Sequence, residues 1–126
     1  MLRNEDRAPT LNLHEFTRGD WIGGFFVLEK DIERQLTDRI RGIGGRCLKF
    51  VSPGFTGVPD RIILLPGGRI CFAELKQKGK FEKARQKLVH KMLRELGFTV
   101  YNTVDSIEKI NAIIQDCMEV THGKDL

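Results

Sequence analysis

Residues 57–76 read GVPDRIILLPGGRICFAELK, and this stretch predicts two short strands joined by a tight turn. Apolar residues fill the chain on either side of Pro66-Gly67-Gly68, where glycine permits the left-handed backbone that a short hairpin loop requires. A three-residue turn pairs Leu65 with Arg69 and places Asp60 opposite Glu74. Two carboxylates directly opposite each other destabilise a sheet, so this register is unfavourable without a cation.

A divalent cation would convert this acid pair into a site. Mg²⁺ and Mn²⁺ take carboxylate oxygens as ligands, and Lys76 points to the same side of its strand as Glu74 because side chains alternate. A lysine beside the ion can orient water and stabilise negative charge on phosphorus. Asp60, Glu74 and Lys76 are therefore the minimum set for metal-assisted phosphodiester hydrolysis. The alternative from the residues alone is a group of surface acids paired with neighbouring arginine and lysine.

The flanking sequence predicts the element order α-β-β-β-α-β-α. Apolar spacings of three and four indicate helices at 28–42 and 81–96, and a third that begins at Asp105 with Glu108 in a capping box. The predicted buried stripe of the second helix is Ala84, Leu88, Val89, Met92, Leu93 and Leu96. Residues 46–51 and 98–102 have the composition of strands. Because the central hairpin is apolar on both faces, we expect an α/β fold with a small mixed β-sheet flanked by helices on both faces.

The length of 126 residues and the charge pattern limit the function. A chain of this size forms one domain, and neither a membrane span nor a signal peptide is apparent, which predicts a cytoplasmic protein without membrane contact. The three cysteines lack metal-ligand spacing and are predicted to be buried thiols, and the three histidines are scattered. Residues 60–96 carry ten Lys/Arg against four Asp/Glu, so positive charge is concentrated around the acid pair.

Several sequence blocks resemble the VRR-NUC domain, the virus-type replication-repair nuclease branch of the PD-(D/E)xK superfamily. They are EKDIERQL, GGRCLKF, SPGFTGVPDRIILLPGGRICFAELK and the glutamine at position 86. The similarity extends from about residue 28 to residue 114. It implies a restriction-endonuclease-like core, with a nuclease domain at 25–118 between an N-terminal arm at 1–24 and a C-terminal tail at 119–126.

The resemblance also implies a role for individual residues. Asp60 and Glu74 would be metal ligands, the Leu75 carbonyl a further ligand, and Lys76 the catalytic lysine. Glu33 would be a metal-binding acid from the first helix, and Gln86 would orient Lys76 or the water. The family often has Ser or Thr where this chain has Lys80-Phe81, so the start of the second helix is less defined.

A basic run continues from the hairpin into the second helix and is expected to contact the DNA backbone, where each neutralised phosphate adds a salt-dependent contribution to affinity. The expected nucleic-acid contacts are Lys49, Ser52, Lys78, Lys80, Lys83, Arg85 and Lys87. The alternative is a helix face that is simply solvated.

By resemblance, the function is that of a Mg²⁺- or Mn²⁺-dependent DNA endonuclease that leaves 5′-phosphate and 3′-hydroxyl ends. Small stand-alone members, typical of phages and bacteria, resemble Holliday junction resolvases and act as homodimers. We therefore expect a homodimer that cuts branched DNA, with a four-way junction as substrate, in a bacterial or phage-infected cell. The alternatives are a nuclease for flaps or other branched DNA, a catalytically silent nucleic-acid-binding module, and a restriction-type nuclease.

Overall fold

The structure, a computed structural model, describes residues 20–22, 25–27, 29–76 and 82–124. It confirms the predicted order and adds a two-stranded antiparallel hairpin before the first helix. The elements are β1 (Asp20–Ile22), β2 (Phe25–Val27), α1 (Glu29–Gly42), β3 (Arg46–Lys49), β4 (Arg61–Leu65), β5 (Arg69–Leu75), α2 (Ala84–Glu95), β6 (Thr99–Val104) and α3 (Ile107–Lys124). No helix in these ranges is long and apolar enough to cross a membrane.

Strands β3–β6 form one mixed sheet in chain order, with β5 and β6 parallel and the other neighbours antiparallel. The hairpin register is the predicted one, since Leu65 pairs with Arg69 and Ile63 with Cys71. Gly67 and Gly68 have φ angles of 83° and 76°, the left-handed conformation that the short turn requires. The next pair along this register, beyond Arg61 and Ala73, is Asp60 with Glu74.

The main core lies between one face of the sheet and helices α1 and α3. Ile32, Leu36 and Ile40 project from α1 at helical spacing onto Ile63 and its neighbours. Helix α3 completes this core with buried Ile110, Ile113, Ile114 and Cys117. All three cysteines are buried thiols, as predicted.

Helix α2 lies on the opposite face of the sheet, as predicted, and covers part of that face. Helix α2 packs Val89 and Leu93 onto Phe72. Leu64 and Ile70, nearer the hairpin turn, remain 36% and 41% exposed. The predicted buried stripe of α2 was too wide because the helix contacts the sheet along a narrow strip. Its members Ala84, Leu88, Met92 and Leu96 are exposed.

Element boundaries differ from prediction at three places. Helix α3 begins after Ser106, whose Oγ accepts a hydrogen bond from the Lys109 N–H at 3.2 Å. Asp105, predicted to be the cap, instead pairs with the Lys109 ammonium at 3.1 Å. The backbone stays helical to Lys124, which lies within the predicted C-terminal tail at 119–126. Helix α2 starts at Ala84, and residue 81, its predicted start, lies outside the described ranges.

Candidate active site

The two predicted acids meet where β4 and β5 separate. The Asp60 N–H donates to Glu74 Oε1 at 3.1 Å, and the Leu75 N–H donates to Asp60 Oδ1 at 3.1 Å. Each carboxylate thus accepts a main-chain hydrogen bond from the other strand. Pro59, which is fully buried, and the Phe50 N–H, which donates to the Asp60 carbonyl at 2.8 Å, fix the approach to this strand end. Backbone donors on both strands therefore hold the pair in place.

The acid pair lies in a poorly solvated, negatively charged environment. Glu74 is 4% exposed. Burial, followed by the charge of Glu74, raises the pKa of Asp60 from 3.8 to about 6. The Leu75 N–H and the charge of Arg61 lower this pKa, but by less. Without a cation, Asp60 therefore keeps its proton to a higher pH than an ordinary aspartate does.

Lys76 and Gln86 both reach the second oxygen of Glu74. The Lys76 ammonium lies 3.2 Å from Glu74 Oε2, and Gln86 Nε2 donates to the same oxygen at 3.0 Å. At the other end of the Gln86 amide, Oε1 accepts from the Lys83 N–H at 3.0 Å. Because one end of this amide must accept and the other must donate, its orientation is fixed. Gln86 therefore contacts Glu74. The role that the resemblance implies for it, orienting Lys76 or the water, stays a prediction.

A bulge in β6 accompanies this strand end. Ala73 pairs with Tyr101 but Leu75 pairs with Val104, so two residues of β6 face the single residue Glu74. One of them, Thr103, has a φ of 56°, and its carbonyl accepts from the Lys109 ammonium at 2.8 Å. Bulges beside functional sites change the direction of neighbouring side chains. No pattern in the sequence indicated this bulge.

Glu33 approaches from α1, on the face of the sheet opposite to Gln86. Its carboxylate forms an ion pair with the Arg61 guanidinium at 2.5 Å, and the Arg61 side chain is only 12% exposed. The structure therefore joins Glu33 to the residue that follows Asp60. Glu29, one turn earlier on α1, adds to the negative field that raises the pKa of Asp60. The sequence analysis assigned Glu29 no role at the site.

The loop that leads to Asp60 is attached to α2 by Arg85. Arg85 Nε donates to the Thr56 carbonyl at 3.0 Å, and its guanidinium lies 4.7 Å from the centre of the Phe55 ring. Gly57 has a φ of 94°, and a Cβ there would come within 2.9 Å of the Arg85 and Val89 side chains. Arg85 was predicted to contact DNA. In the structure it holds this loop.

The other predicted DNA contacts lie around the acid pair or outside the described ranges. Lys83 and Lys87 are exposed on α2. Lys49 is exposed on β3 opposite Arg61, and the Ser52 carbonyl accepts from the Phe55 N–H at 3.2 Å. Lys78 and Lys80 fall within the undescribed residues 77–81.

A buried polar cluster fixes the segment before α2. Glu82 Oε1 accepts from Asn102 Nδ2 at 2.8 Å, and Glu82 Oε2 contacts His90 Nδ1. His90 is completely buried and lies four residues after Gln86 on the same helix. The sequence suggested no role for this histidine. The cluster ties the start of α2, and with it Gln86, to β6.

The donor set at the strand end fits a hard divalent cation. Asp60 and Glu74 offer only oxygen, the donor type that Mg²⁺ and Mn²⁺ prefer, and a cation would relieve the repulsion between them. Over the residues that the structure describes, no group of three or more His, Cys, Asp or Glu side chains could hold a metal ion. Any ion here would therefore rely on this acid pair together with backbone oxygen or water.

A mixed sheet between helices, with acids at the ends of adjacent strands and a lysine two residues after the second acid, is the arrangement of the PD-(D/E)xK nuclease class. Comparison with known proteins supports this assignment. "Putative nuclease p44" of Acyrthosiphon pisum secondary endosymbiont phage 1 is 45% identical over 74 residues, which cover 59% of this chain and 80% of that protein. A solved structure of a VRR_NUC domain superposes with a TM-score of 0.64 at 26% identity, covering 69% of this chain and 94% of the other. No family model matches the sequence.

The chain belongs to the VRR-NUC family of nucleases. Both the predicted fold and the predicted family are thereby confirmed. The individual site residues stay predictions, which the geometry above makes specific enough to test.

Proposed function

We propose that this chain is a divalent-metal-dependent, structure-selective DNA endonuclease that acts as a homodimer on branched DNA, with a four-way junction as substrate. The observation that carries the proposal is the buried acid pair Asp60 and Glu74, with Lys76 and Gln86 on one oxygen of Glu74. Two mutually repelling acids fixed by backbone donors are unfavourable for stability alone, which supports a binding role. Membership of a nuclease family supports phosphodiester hydrolysis as that role.

In this proposal Asp60, Glu74 and the Leu75 carbonyl hold Mg²⁺ or Mn²⁺. A bound divalent cation supplies Lewis-acid polarisation of the phosphate and makes water more acidic. Water oxygen attacks phosphorus, the bond from phosphorus to O3′ breaks, and O3′ takes up a proton. The products are a 5′-phosphate and a 3′-hydroxyl.

The remaining side chains position groups and neutralise charge. The Lys76 ammonium, 18% exposed, lies on the acid pair and would stabilise negative charge that develops on the phosphate oxygens. Gln86 holds the Glu74 carboxylate in one orientation. A direct ligand role for Glu33 would require its ion pair with Arg61 to open, so we propose that Glu33 acts through Arg61 to position the strand that begins at Asp60.

A panel of labelled DNAs tests the enzymatic proposal. Four-way junction, flap and linear duplex of shared sequence are incubated with the full chain in Mn²⁺ or Mg²⁺. We expect cleavage of the junction, loss of cleavage in Glu74→Gln and Lys76→Ala, and unchanged cleavage in Glu108→Gln, which alters an exposed acid on α3. Cleavage by Glu74→Gln at the wild-type rate would refute the proposed site. Faster cleavage of the flap than of the junction would identify the flap as the preferred substrate.

Two further measurements separate the parts of the proposal. Calorimetric titration with Mn²⁺ should show binding that Glu74→Gln abolishes, whereas a silent nucleic-acid-binding module would not need this acid to bind the ion. Sedimentation should show a dimer at working concentrations. A monomer that still cleaves would remove the junction-resolvase assignment and leave the nuclease chemistry intact.

A further inference from the structure

Phe55 is an exposed aromatic residue on a constrained loop. Its side chain is 40% exposed although it lies only five residues before the buried strand end at Asp60. The backbone around it is fixed at three points: by the Ser52 turn, by the bond from Arg85 to the Thr56 carbonyl, and by the close packing of Gly57 on α2. The loop therefore presents the ring at the surface in a defined position.

Arg85 supports this ring from one side. Its guanidinium lies 4.7 Å from the ring centre, and its Nε is held by the Thr56 carbonyl. A cation over one face of an aromatic ring is attracted by the electron-rich π system. Because the guanidinium is itself anchored, it holds the ring outward at the surface. Without this support the ring could fold back onto the loop and become buried.

The first turn of α2 contacts both the ring and the acid pair. Arg85 immediately precedes Gln86, which contacts Glu74, so one turn of α2 joins Phe55 to the carboxylates. Leu88, three residues after Arg85 on the same side of the helix, is 63% exposed. This apolar surface adjoins the exposed Lys87 of the basic run. A flat apolar surface beside phosphate-binding charge is the combination that binds unpaired nucleotides.

We propose that Phe55, supported by Arg85, is a stacking platform for an unpaired base at the branch point of the DNA. This inference rests on the proposed nuclease function and adds a basis for structure selectivity. Phosphate contacts position a protein on both duplex and branched DNA. A base whose neighbour has been removed can stack on an aromatic side chain, whereas a base within a continuous duplex is already stacked on both sides.

The test measures base stacking in EDTA, which prevents metal-dependent cleavage. A junction and a flap carry the fluorescent adenine analogue 2-aminopurine at the branch point, and a continuous duplex carries it at the same sequence position. We expect the full chain to quench emission from the branched DNAs. Phe55→Leu should lose this quenching and bind branched DNA about tenfold more weakly, with duplex affinity changed less than about twofold.

Two variants control for effects other than stacking. Phe55→Trp retains an aromatic face and should retain quenching. Phe98→Leu alters another exposed phenylalanine, whose ring meets Phe72 edge to face, and should behave as wild type. All variants are compared at equal folded fraction by thermal melting.

The outcomes separate this inference from the nuclease proposal. Quenching that depends on Phe55 in a chain that cleaves no DNA would support the platform and refute hydrolysis. Cleavage with Phe55→Leu unchanged on every substrate would refute the platform alone, as would equal losses on duplex and branched DNA. Dissociation of a dimer by Phe55→Leu would assign the ring to a contact with a second copy and refute the platform. Failure to bind any of the three DNAs would refute both.

Discussion

At the scale of single residues, the site is a chain of hydrogen bonds centred on Glu74. Each carboxylate oxygen of this side chain has an assigned donor: the Asp60 N–H on Oε1, and Lys76 with Gln86 on Oε2. The negative charge of Glu74 also keeps Asp60 difficult to ionise. Removal of any one group should therefore alter the others, and this coupling gives two measurable predictions.

Gln86→Glu should reduce metal affinity and cleavage by roughly 10–100-fold, as is typical when a group that orients a metal ligand is lost. The new carboxylate cannot donate to Glu74 and adds a like charge at the same distance. Calorimetry with Mn²⁺ and cleavage rates measure the two effects. The matched control is Gln115→Glu, because Gln115 donates to Glu119 at 3.0 Å on the exposed face of α3. Equal behaviour of the two variants would show that the contact between Gln86 and Glu74 is incidental.

The metal-free protein should titrate Asp60 near pH 6. Because the folded-state pKa lies above the ordinary value of 3.8, this group stabilises the fold at pH below about 4 and loses that contribution as pH rises through 6. Carboxyl NMR should show the titration, and Glu74→Gln should lower its midpoint by removing a negative neighbour. The free energy of unfolding in EDTA should fall over this pH window in wild type and fall less in Asp60→Asn. A midpoint near 4 in wild type would contradict the burial of the pair.

At the scale of elements, the site depends on how α2 meets the loop at residues 52–59. The loop approaches α2 so closely at Gly57 that no side chain fits, and the Arg85 side chain spans the rest of the contact. On the other side of the helix, Glu82 and His90 fix its first turn against β6. Helix α2 thus positions Gln86 from one side and the segment before Asp60 from the other.

Gly57→Ala should destabilise the fold and weaken metal binding. Gly67→Ala is the matched control, since Gly67 has a similar φ of 83° but nothing within 4 Å of a new Cβ. Left-handed strain alone should cost each variant about 1–2 kcal/mol of unfolding free energy. Displacement of Arg85 and Val89 should add about 1–3 kcal/mol at Gly57 alone. Urea denaturation measures both values. Equal losses of unfolding free energy in the two variants would show that the loop shifts to accommodate the new Cβ and does not depend on its contact with α2.

At the scale of the whole molecule, the sequence predicted what local patterns determine. A three-residue glycine turn between apolar strands determined the register that places Asp60 opposite Glu74, and helical periodicity determined the faces of α1 and α3. The contacts between Glu33 and Arg61 and between Arg85 and Phe55 join distant segments, so no local pattern contains them. The buried stripe predicted for α2 was too wide for a related reason. Apolar periodicity identifies the helix face that could be buried, but how much of that face the sheet covers depends on tertiary packing.

The distribution of charge over the molecule yields a final prediction for DNA binding. Lys83 and Lys87 are exposed on α2 near the acid pair, whereas Arg41, which is 57% exposed and pairs with Asp38, ends α1 near the opposite, hairpin-turn end. Each phosphate neutralised on duplex DNA contributes about 0.9 to the slope of log affinity against log salt, so replacing both lysines by glutamine should reduce that slope by about 2.

The substitution spares the Lys83 main-chain bond to Gln86. Fluorescence anisotropy from low to high salt measures the slope, with Arg41→Gln as a control that should leave it unchanged. A slope unaltered by the double substitution would mean that this helix face is solvated and that DNA follows another path to the acid pair.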